Sequence, residues 1–237
     1  MEKYTVILLS KLRYLLLMLL LLPLQSCAFY YSAAPIEAWI VDAETGKPLE
    51  GVIVTANWQL KGGMEGGNDF GQMMVMEEVT DKSGRFYFPA WGPKRNVSDG
   101  HIKNEGPQLV LFKNGYRYLP LSNQTRVTDR PGPFLKSDWN GKTIKMERFK
   151  GDLKEYAQHL KFIDTLVNLD FMSAGKTCYW KNMPRMIEAL YRQGNVFRAN
   201  GIPDWDISIV DGLLAGDRNY ATGECGSKRE FLKDYLK

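Results

Sequence analysis

The segment IVDAETGKPLEGVIVTA, Ile40–Ala56, has a β-branched, apolar run at each end and a polar stretch between them. Such runs are typical of β-strands, in which successive side chains point to opposite faces. The centre of the segment, Asp42–Pro48, has turn chemistry, because the Asp42 carboxylate can accept from the backbone ahead of it and Gly46 tolerates a positive φ. We therefore expect a strand, a polar turn and a second strand. The two faces of that second strand are formed by Val52, Val54, Ala56 and Trp58 and by Ile53, Thr55 and Asn57.

Similar units lie on both sides of this segment. Ile36, Ala38 and Ile40 share one face of the preceding strand. Short strands separated by Gly, Pro, Asn and Asp predict an antiparallel β-sandwich. The downstream units are TDKSGRFYFP (Thr80–Pro89, Phe86 and Phe88 on one side), QLVLFKNGYRYLPL (Gln108–Leu121, turn at Asn114-Gly115) and KTIKMERF (Lys142–Phe149, Ile144 and Met146 inward).

Three of these units carry a family resemblance. The orders V-D-x-x-T-G-x-P-L-x-G-V-x-V-x-A at Val41–Ala56, T-D-x-x-G-x-F at Thr80–Phe86 and F-x-x-G-Y at Phe112–Tyr116 resemble the carboxypeptidase regulatory-like domain. The resemblance covers residues 36–147 and implies a prealbumin-like, or transthyretin-like, β-sandwich. It also implies a non-catalytic module of the kind that accompanies peptidases, outer-membrane receptors and adhesive surface proteins. The departures are the inserts Lys61–Glu78 and Gly92–Pro107, which we expect to form long loops.

The first 26 residues have the pattern of a secretory signal peptide. A basic start containing Lys3, Lys11 and Arg13 precedes the apolar run Tyr14–Leu22. That run is too short for a permanent membrane span, which needs roughly 17 residues or more. We therefore exclude residues 1–26 from the fold.

The sequence Leu24-Gln25-Ser26-Cys27 resembles the lipobox of bacterial lipoproteins. This resemblance implies that Cys27 carries acyl chains such as palmitate and becomes the first residue of the mature protein. Ala28 after the cysteine favours the outer membrane, with the protein facing the periplasm, and residues 27–35 would be a tether. The alternative is a plain secreted protein with a chance cysteine.

The two remaining cysteines, Cys178 and Cys225, form an even pair. In an oxidising compartment we expect a disulfide between them that closes a loop of about 48 residues and stabilises by roughly 3 to 4 kcal/mol in the chain-entropy model. The alternative is two buried thiols.

Charge argues against nucleic acid as a partner. Removing residues 1–26 takes away three basic and one acidic residue, so the formal net charge falls from +4 to +2. The remaining chain contains no arginine-rich run, so we expect no nucleic-acid binding.

From Gly151 the apolar period changes to three and four, which predicts helices. We expect a small helical domain over residues 149–237, separate from a β-sandwich over residues 36–148. The predicted helices are an amphipathic one with the stripe Leu153, Tyr156, Ala157, Leu160, Ile163 and Val167, a second over Asn182–Gly194, a third over Trp205–Leu214 and a last one capped by Ser227 with Glu230.

No residue pattern identifies a catalytic centre, a cofactor or a metal site. The glycine-rich GGMEGGNDFG lacks the Lys-Ser/Thr ending of a phosphate loop and predicts a hairpin tip, and the neighbouring MMVME predicts strand or core. Cys178 has no downstream histidine, and His101 and His159 are isolated from other ligand types. The acidic cluster Asp204, Asp206, Asp211 and Asp217 lacks EF-hand spacing, so we interpret it as capping and solvated carboxylates.

Three functional hypotheses follow. The first is a membrane-anchored, non-catalytic module that binds or scaffolds envelope protein or glycan. Its rival is an envelope enzyme with a site in the helical region or at the domain junction, which would bring His159, Cys178 or the Asp204–Asp217 carboxylates together. The third is glycan binding through exposed aromatic side chains, for which the candidates are Trp180, Trp205 and Tyr220.

Overall fold

The computed structural model describes residues 30–62, 68–96, 100–124, 133–163, 178–207 and 226–235. The expected signal peptide, the anchor Cys27 and the second disulfide cysteine Cys225 lie outside these ranges. Cys178 lies inside them, but the pairing with Cys225 stays a prediction.

The described part of the chain is mostly β-sheet, with a few helices in its C-terminal part, and this confirms the expected fold class at that level. The strands form three sheets with the orders β10-β1-β6, β11-β2-β5 and β4-β3-β8-β9, and β7 also pairs with β3. The strand bounds are β1 Tyr30–Ala33, β2 Ile36–Asp42, β3 Ile53–Gly62, β4 Asn68–Val79, β5 Arg85–Phe88, β6 Trp91–Arg95, β7 His101–Ile102, β8 Gln108–Phe112, β9 Leu119–Leu121, β10 Phe134–Leu135 and β11 Thr143–Met146.

Two strand pairs differ from the antiparallel arrangement that the sequence predicts. β11 runs parallel to β2, with Ile144 opposite Ile40, and β10 runs parallel to β1. Hairpin turns enforce antiparallel pairing only between strands that follow each other closely. β2 and β11 are separated by most of the described chain, so no turn dictates their direction.

The residues predicted to face inward do build one apolar core. Alternate positions of β2 and β3, together with inward residues of β5 and β11, are buried in a single cluster. The ring of Trp58 packs edge-on against Trp91, with 5.4 Å between the ring centres. The core includes Ile36, Ala38, Ile40, Val54, Ala56, Trp58, Phe86, Phe88, Ile144 and Met146.

The expected loop Lys61–Glu78 is largely strand. β4 begins at Asn68 and pairs with β3 along its length, with irregular register between Trp58 and Gln59. Met73 and Val75 are buried, as expected for a strand or core segment. The insert therefore extends a β-hairpin, because its Met and Val side chains supply the apolar surface that a strand needs.

A second apolar cluster joins the helices to the outer face of the sheet. Val75, Val110 and Phe112 from the strands are buried against helical side chains. The change near residue 148 therefore separates two kinds of secondary structure that share a core, and the predicted division into separate domains stays a prediction. The helical members of the cluster include Tyr156, Leu160, Met186, Ile187, Leu190 and Phe197.

Three helices and three short 3-10 turns occur in the described ranges. They are α1 Leu153–Leu160, α2 Pro184–Ala199 and α3 Lys228–Leu232, with η1 Lys103–Glu105, η2 Tyr179–Asn182 and η3 Asp204–Asp206. None of the helices within the described ranges is long and apolar enough to cross a membrane.

Helix α1 begins with a complete capping box between Asp152 and Glu155, whose side chains each accept from the other residue's backbone N–H. At α3, the Ser227 hydroxyl accepts from the Glu230 N–H, as the sequence predicts.

Helix α2 is longer than expected. The sequence places Gly194 just past its end, but Gly194 lies inside the helix. An added Cβ there would lie 3.4 Å from Ile207, an ordinary packing distance, so the packing does not require a glycine at this position. Of the predicted helix Trp205–Leu214, Trp205 and Asp206 lie in the 3-10 turn η3, Ile207 is extended, and residues 208–214 lie outside the described residues.

The start of α2 is capped by a side chain from the sheet. Met183 at the N-cap supplies no side-chain acceptor. Instead, the Glu77 carboxylate of β4 accepts from the N–H groups of Arg185 (2.9 Å) and Met186 (2.7 Å). Burial raises the pKa of Glu77 to about 7, although these two donors act in the opposite direction.

Candidate functional site

The candidate site arises from an interruption in the ladder beside β3. Ile102 of β7 pairs with Leu60, and Gln108 of β8 pairs with Asn57. Two residues of β3 therefore face the five residues 103–107, which leave the plane of the sheet as a loop containing η1. The sheet face is open at this point.

The interruption forms a small polar recess, partly open to solvent, with room for about one water-sized group. This space is far below that of a typical small-molecule site, so the recess can receive one hydroxyl or amide group of a larger ligand whose remainder lies outside it. Its walls contain no carboxylate and no large apolar side chain. The lining residues are Asn57, Gln59, Lys103, Asn104, Gly106, Gln108 and Ser122.

Asn57 is the most informative residue of the recess. Its side chain is only 2% exposed, yet neither Oδ1 nor Nδ2 has a hydrogen-bond partner among the described residues. A buried polar group without a partner costs roughly 1 to 3 kcal/mol. A water molecule or a ligand group that offers both a donor and an acceptor would offset this cost.

Two glutamines extend the row of amides. Nε2 of Gln59 donates to Oε1 of Gln108 at 2.9 Å, which fixes the two side chains against each other. The second polar atoms of these amides, Oε1 of Gln59 and Nε2 of Gln108, have no partner among the described residues. Together with Asn57, the recess presents two acceptors and two donors, a pattern that suits hydroxyl or amide groups.

The wall behind the recess is fixed by Asn123. Its Nδ2 donates to the Lys136 carbonyl at 2.7 Å and its Oδ1 accepts from the Asp138 N–H at 2.9 Å. Gly106 packs directly on this side chain, since an added Cβ would lie 2.4 Å from Asn123 Nδ2. The Trp139 indole N–H donates to the Ser122 carbonyl at 3.1 Å. These contacts hold Gly106 and Ser122 in place on the wall.

The rim contains strained backbone. Asn104 and Glu105 are consecutive non-glycine residues with φ of 56° and 55°. A non-glycine residue in this left-handed conformation costs of order 1 to 3 kcal/mol of folding free energy, and such residues concentrate at binding sites. This turn carries Lys103, whose exposed side chain supplies the one positive charge among the lining residues.

The structure gives His159 a packing role. Its Nε2 accepts from the Tyr118 N–H at 3.2 Å, and its ring stacks on Tyr118 and on Phe149 at centre distances of 4.6 and 5.3 Å. Burial and the charge of Arg117 lower the pKa of His159. His101 is exposed on β7, in a different part of the fold.

The acidic cluster is only partly described. Asp204 accepts from Arg198 Nε at 2.9 Å, and Asp206 lies 3.9 Å from Lys161 Nζ. Asp211 and Asp217 lie outside the described residues. Within the described ranges, no group of three or more His, Cys, Asp or Glu side chains could hold a metal ion.

The aromatic candidates for glycan binding differ in the solvent exposure of their side chains. Trp180 is 4% exposed and belongs to the core beneath α3, where its ring packs edge-on against Phe231. Trp205 is 75% exposed on η3. Tyr220 lies outside the described residues. Trp205 is therefore the one of the three that the structure places at the surface.

The sequence did not identify the amide recess. Asn57 and Gln108 are ordinary polar residues on strand positions that could equally face water. The signal that was present is the row Thr55, Asn57 and Gln59 on one face of β3. This row becomes informative only once the structure shows that all three are buried.

No protein-family model and no curated protein matches this chain. A 3-chlorocatechol 1,2-dioxygenase from Rhodococcus opacus 1CP is 15% identical over 54% of this chain and 64% of that chain, with a TM-score of 0.30. A catechol 1,2-dioxygenase from Acinetobacter sp. ADP1, inhibited by bound mercury, is 16% identical over 53% and 55%, with a TM-score of 0.30. A 9R-lipoxygenase from Cyanothece PCC8801 is 10% identical over 72% and 28%, with a TM-score of 0.23. The chain thus spans less than two thirds of each of these proteins, and likeness at these TM-scores carries no argument.

Proposed function

We propose that this chain is a bacterial outer-membrane lipoprotein, acylated at Cys27, that binds an envelope glycan without chemical conversion. In this proposal residues 36–148 form the carboxypeptidase regulatory-like β-sandwich that the motifs suggest, and the helices brace its outer face. The binding site is the amide recess beside Asn57. A disulfide between Cys178 and Cys225 would tie the helical region together.

The unpaired amide of Asn57 is the observation that carries this proposal. A sugar hydroxyl both donates and accepts, so one hydroxyl that enters the recess can pair with Oδ1 and Nδ2 of Asn57. A protein partner would more often be recognised through a broad patch with an apolar centre. The recess is small and polar and admits about one hydroxyl-sized group, which favours a sugar hydroxyl over an apolar protein surface.

The residues around the recess support binding rather than catalysis. Its lining contains amides, a hydroxyl and a lysine, and none of them is paired with a general base. Two of the residues that the enzyme hypothesis names, His159 and Asp204, are engaged in packing and in an ion pair with Arg198.

The test compares wild type with Asn57→Leu by calorimetric titration against neutral and acidic oligosaccharides. We expect wild type to bind and to release the sugars unchanged. Asn57→Leu should lose binding and yet unfold at a higher urea concentration, because an unpaired buried amide is replaced by an apolar group. Gln158→Leu, an exposed amide on α1, is the matched control and should bind as wild type does.

Two other results would contradict this proposal. If Asn57→Leu binds sugars as wild type does, the recess is not the site. If wild type converts the sugars to products, the enzyme hypothesis replaces this proposal.

A further inference from the structure

We infer that the sugar unit bound at the mouth of the recess carries a carboxylate, which Lys103 contacts at the rim. This inference rests on the proposed function, because it specifies the ligand of the same site. The starting observation is the charge of the lining: one lysine, six uncharged residues and no carboxylate. Lys103 is therefore the one charged residue that lines the recess.

The structure leaves Lys103 available for this contact. Lys103 has no ion-pair partner among the described residues. It stands at the start of η1, next to the strained pair Asn104 and Glu105. Backbone strain of this kind persists where the surrounding structure holds a segment in a required position. Here the held segment is the one that carries the cation to the recess.

The chemistry of the site favours a carboxylate over a phosphate. Lysine acts as a single point charge, which suits one negative charge. Phosphate groups are more often bound by the fork of an arginine or by several backbone N–H groups. No arginine is among the lining residues. The amides beside Lys103 would then bind the hydroxyls of the same sugar.

The experiment uses trigalacturonate and its fully methyl-esterified form, which keeps the hydroxyls and removes the charge. Calorimetric titrations of the mature chain are run at low salt and at about 0.5 M salt, where screening acts over roughly 4 Å. We expect the acid to bind about fivefold more tightly than the ester at low salt, a ratio near the upper end for an exposed ion pair. The preference should fall at high salt.

Variants separate the roles of charge and amide. Lys103→Met should lower the affinity for the acid to that of the ester and leave the ester unaffected, and Lys103→Glu should reverse the preference. Lys154→Met, an exposed lysine on α1, is the matched control. Melting temperatures of all variants confirm that they fold.

The outcomes distinguish this inference from the proposed function. If acid and ester bind wild type equally, or if Lys103→Met keeps the preference for the acid, the carboxylate inference is wrong and the glycan site stands. If neither sugar binds wild type, or if Asn57→Leu still binds both, the proposed site itself is overturned.

Discussion

The phenol of Tyr116 donates a hydrogen bond to Oδ2 of Asp42 at 2.8 Å, although 74 residues separate them in sequence. Asp42 belongs to the first of the three sequence motifs and Tyr116 to the third. The Asp42 carboxylate is 2% exposed, and its Oδ1 accepts from the N–H groups of Glu44 (3.0 Å) and Thr45 (2.9 Å). Its Oδ2 also accepts from Arg148 at 3.0 Å. The motif residues therefore join separate strands of the β-sheet region.

Thr80 of the second motif forms hydrogen bonds to the first motif. The Thr80 hydroxyl donates to the Leu49 carbonyl at 2.6 Å and accepts from the Val52 N–H at 2.8 Å. An added Cβ on Gly84 would lie 2.3 Å from the Ile40 carbonyl oxygen, so a larger residue would separate two strands. These motif residues stabilise the fold, and none of them lines the recess.

Tyr116→Phe should destabilise the fold without affecting sugar binding. The change removes one donor from a carboxylate that stays buried, so we expect the melting temperature to fall by roughly 5 °C. Tyr87→Phe, on an exposed position of β5, is the control and should melt as wild type does. An unchanged melting temperature for Tyr116→Phe would show that the bond contributes nothing.

Acid unfolding provides a second measure of the same cluster. The backbone N–H of Thr45, followed by the Tyr116 hydroxyl, holds the pKa of Asp42 far below its usual range. A lowered carboxyl pKa gives stability that is complete above the unfolded value, about 3.9, and is lost as the pH falls below it. Asp42→Asn has no carboxyl to protonate at this position, so it should lose less stability than wild type does as the pH falls below 4.

Glu77 should make stability depend on pH in the opposite sense. Its pKa is about 7 in the folded protein, above the unfolded value of about 4.3. The folded state therefore keeps this proton up to a higher pH than the unfolded state does. The stability that this proton binding contributes is complete below about pH 4.3 and is lost as the pH rises through 7. Relative to Glu77→Gln, wild type should lose about 3 kcal/mol of unfolding free energy between pH 4.5 and 7.5.

Urea titrations at one-unit pH intervals measure this difference. Glu78→Gln changes the exposed neighbour on the same strand, whose charge is the smallest of the causes that shift the Glu77 pKa, so it should keep most of the pH dependence of wild type. A difference between wild type and Glu77→Gln that is flat across this range, or that rises with pH, would contradict the assignment.

Gly106→Ala should damage the recess. Its Cβ would lie 2.4 Å from Asn123 Nδ2 and 2.9 Å from the Lys136 carbonyl oxygen. Displacing Asn123 should cost about 1 to 3 kcal/mol and weaken sugar binding. Gly194→Ala is the contrasting variant: its Cβ would lie 3.4 Å from Ile207 inside α2, so we expect equal or greater stability and unchanged binding. Equal binding by both variants would exclude Asn123 as a support of the site.

Local sequence patterns predicted the strands well. The pairing of distant strands and the recess depend on contacts between residues far apart in the sequence. The alternation at Val54 and Ala56 gives the inward face directly, because side-chain direction in a strand is a local property. The parallel pairing of β2 with β11 depends on a contact that no local pattern encodes. The recess likewise needs the register of Asn57 against Gln108, which is set by the interrupted partner strand. Polar strand residues that would suit a solvated face are buried there.

Cys27→Ala tests the anchor that the N-terminal motif implies. Each buried CH₂ of an acyl chain contributes roughly 0.8 kcal/mol, so two or more chains hold a protein firmly on a membrane. We expect wild type to remain with the membranes through a high-salt wash and to be released by detergent, because the attachment is apolar and not ionic. Cys27→Ala should appear in the soluble periplasmic fraction, and crosslinked envelope partners recovered with wild type should be lost with it. Ser26→Ala keeps the acyl acceptor and should stay with the membranes. If Cys27→Ala also sediments with the membranes, attachment runs through the folded part of the chain, and the secreted-protein alternative becomes the better description of the N-terminus.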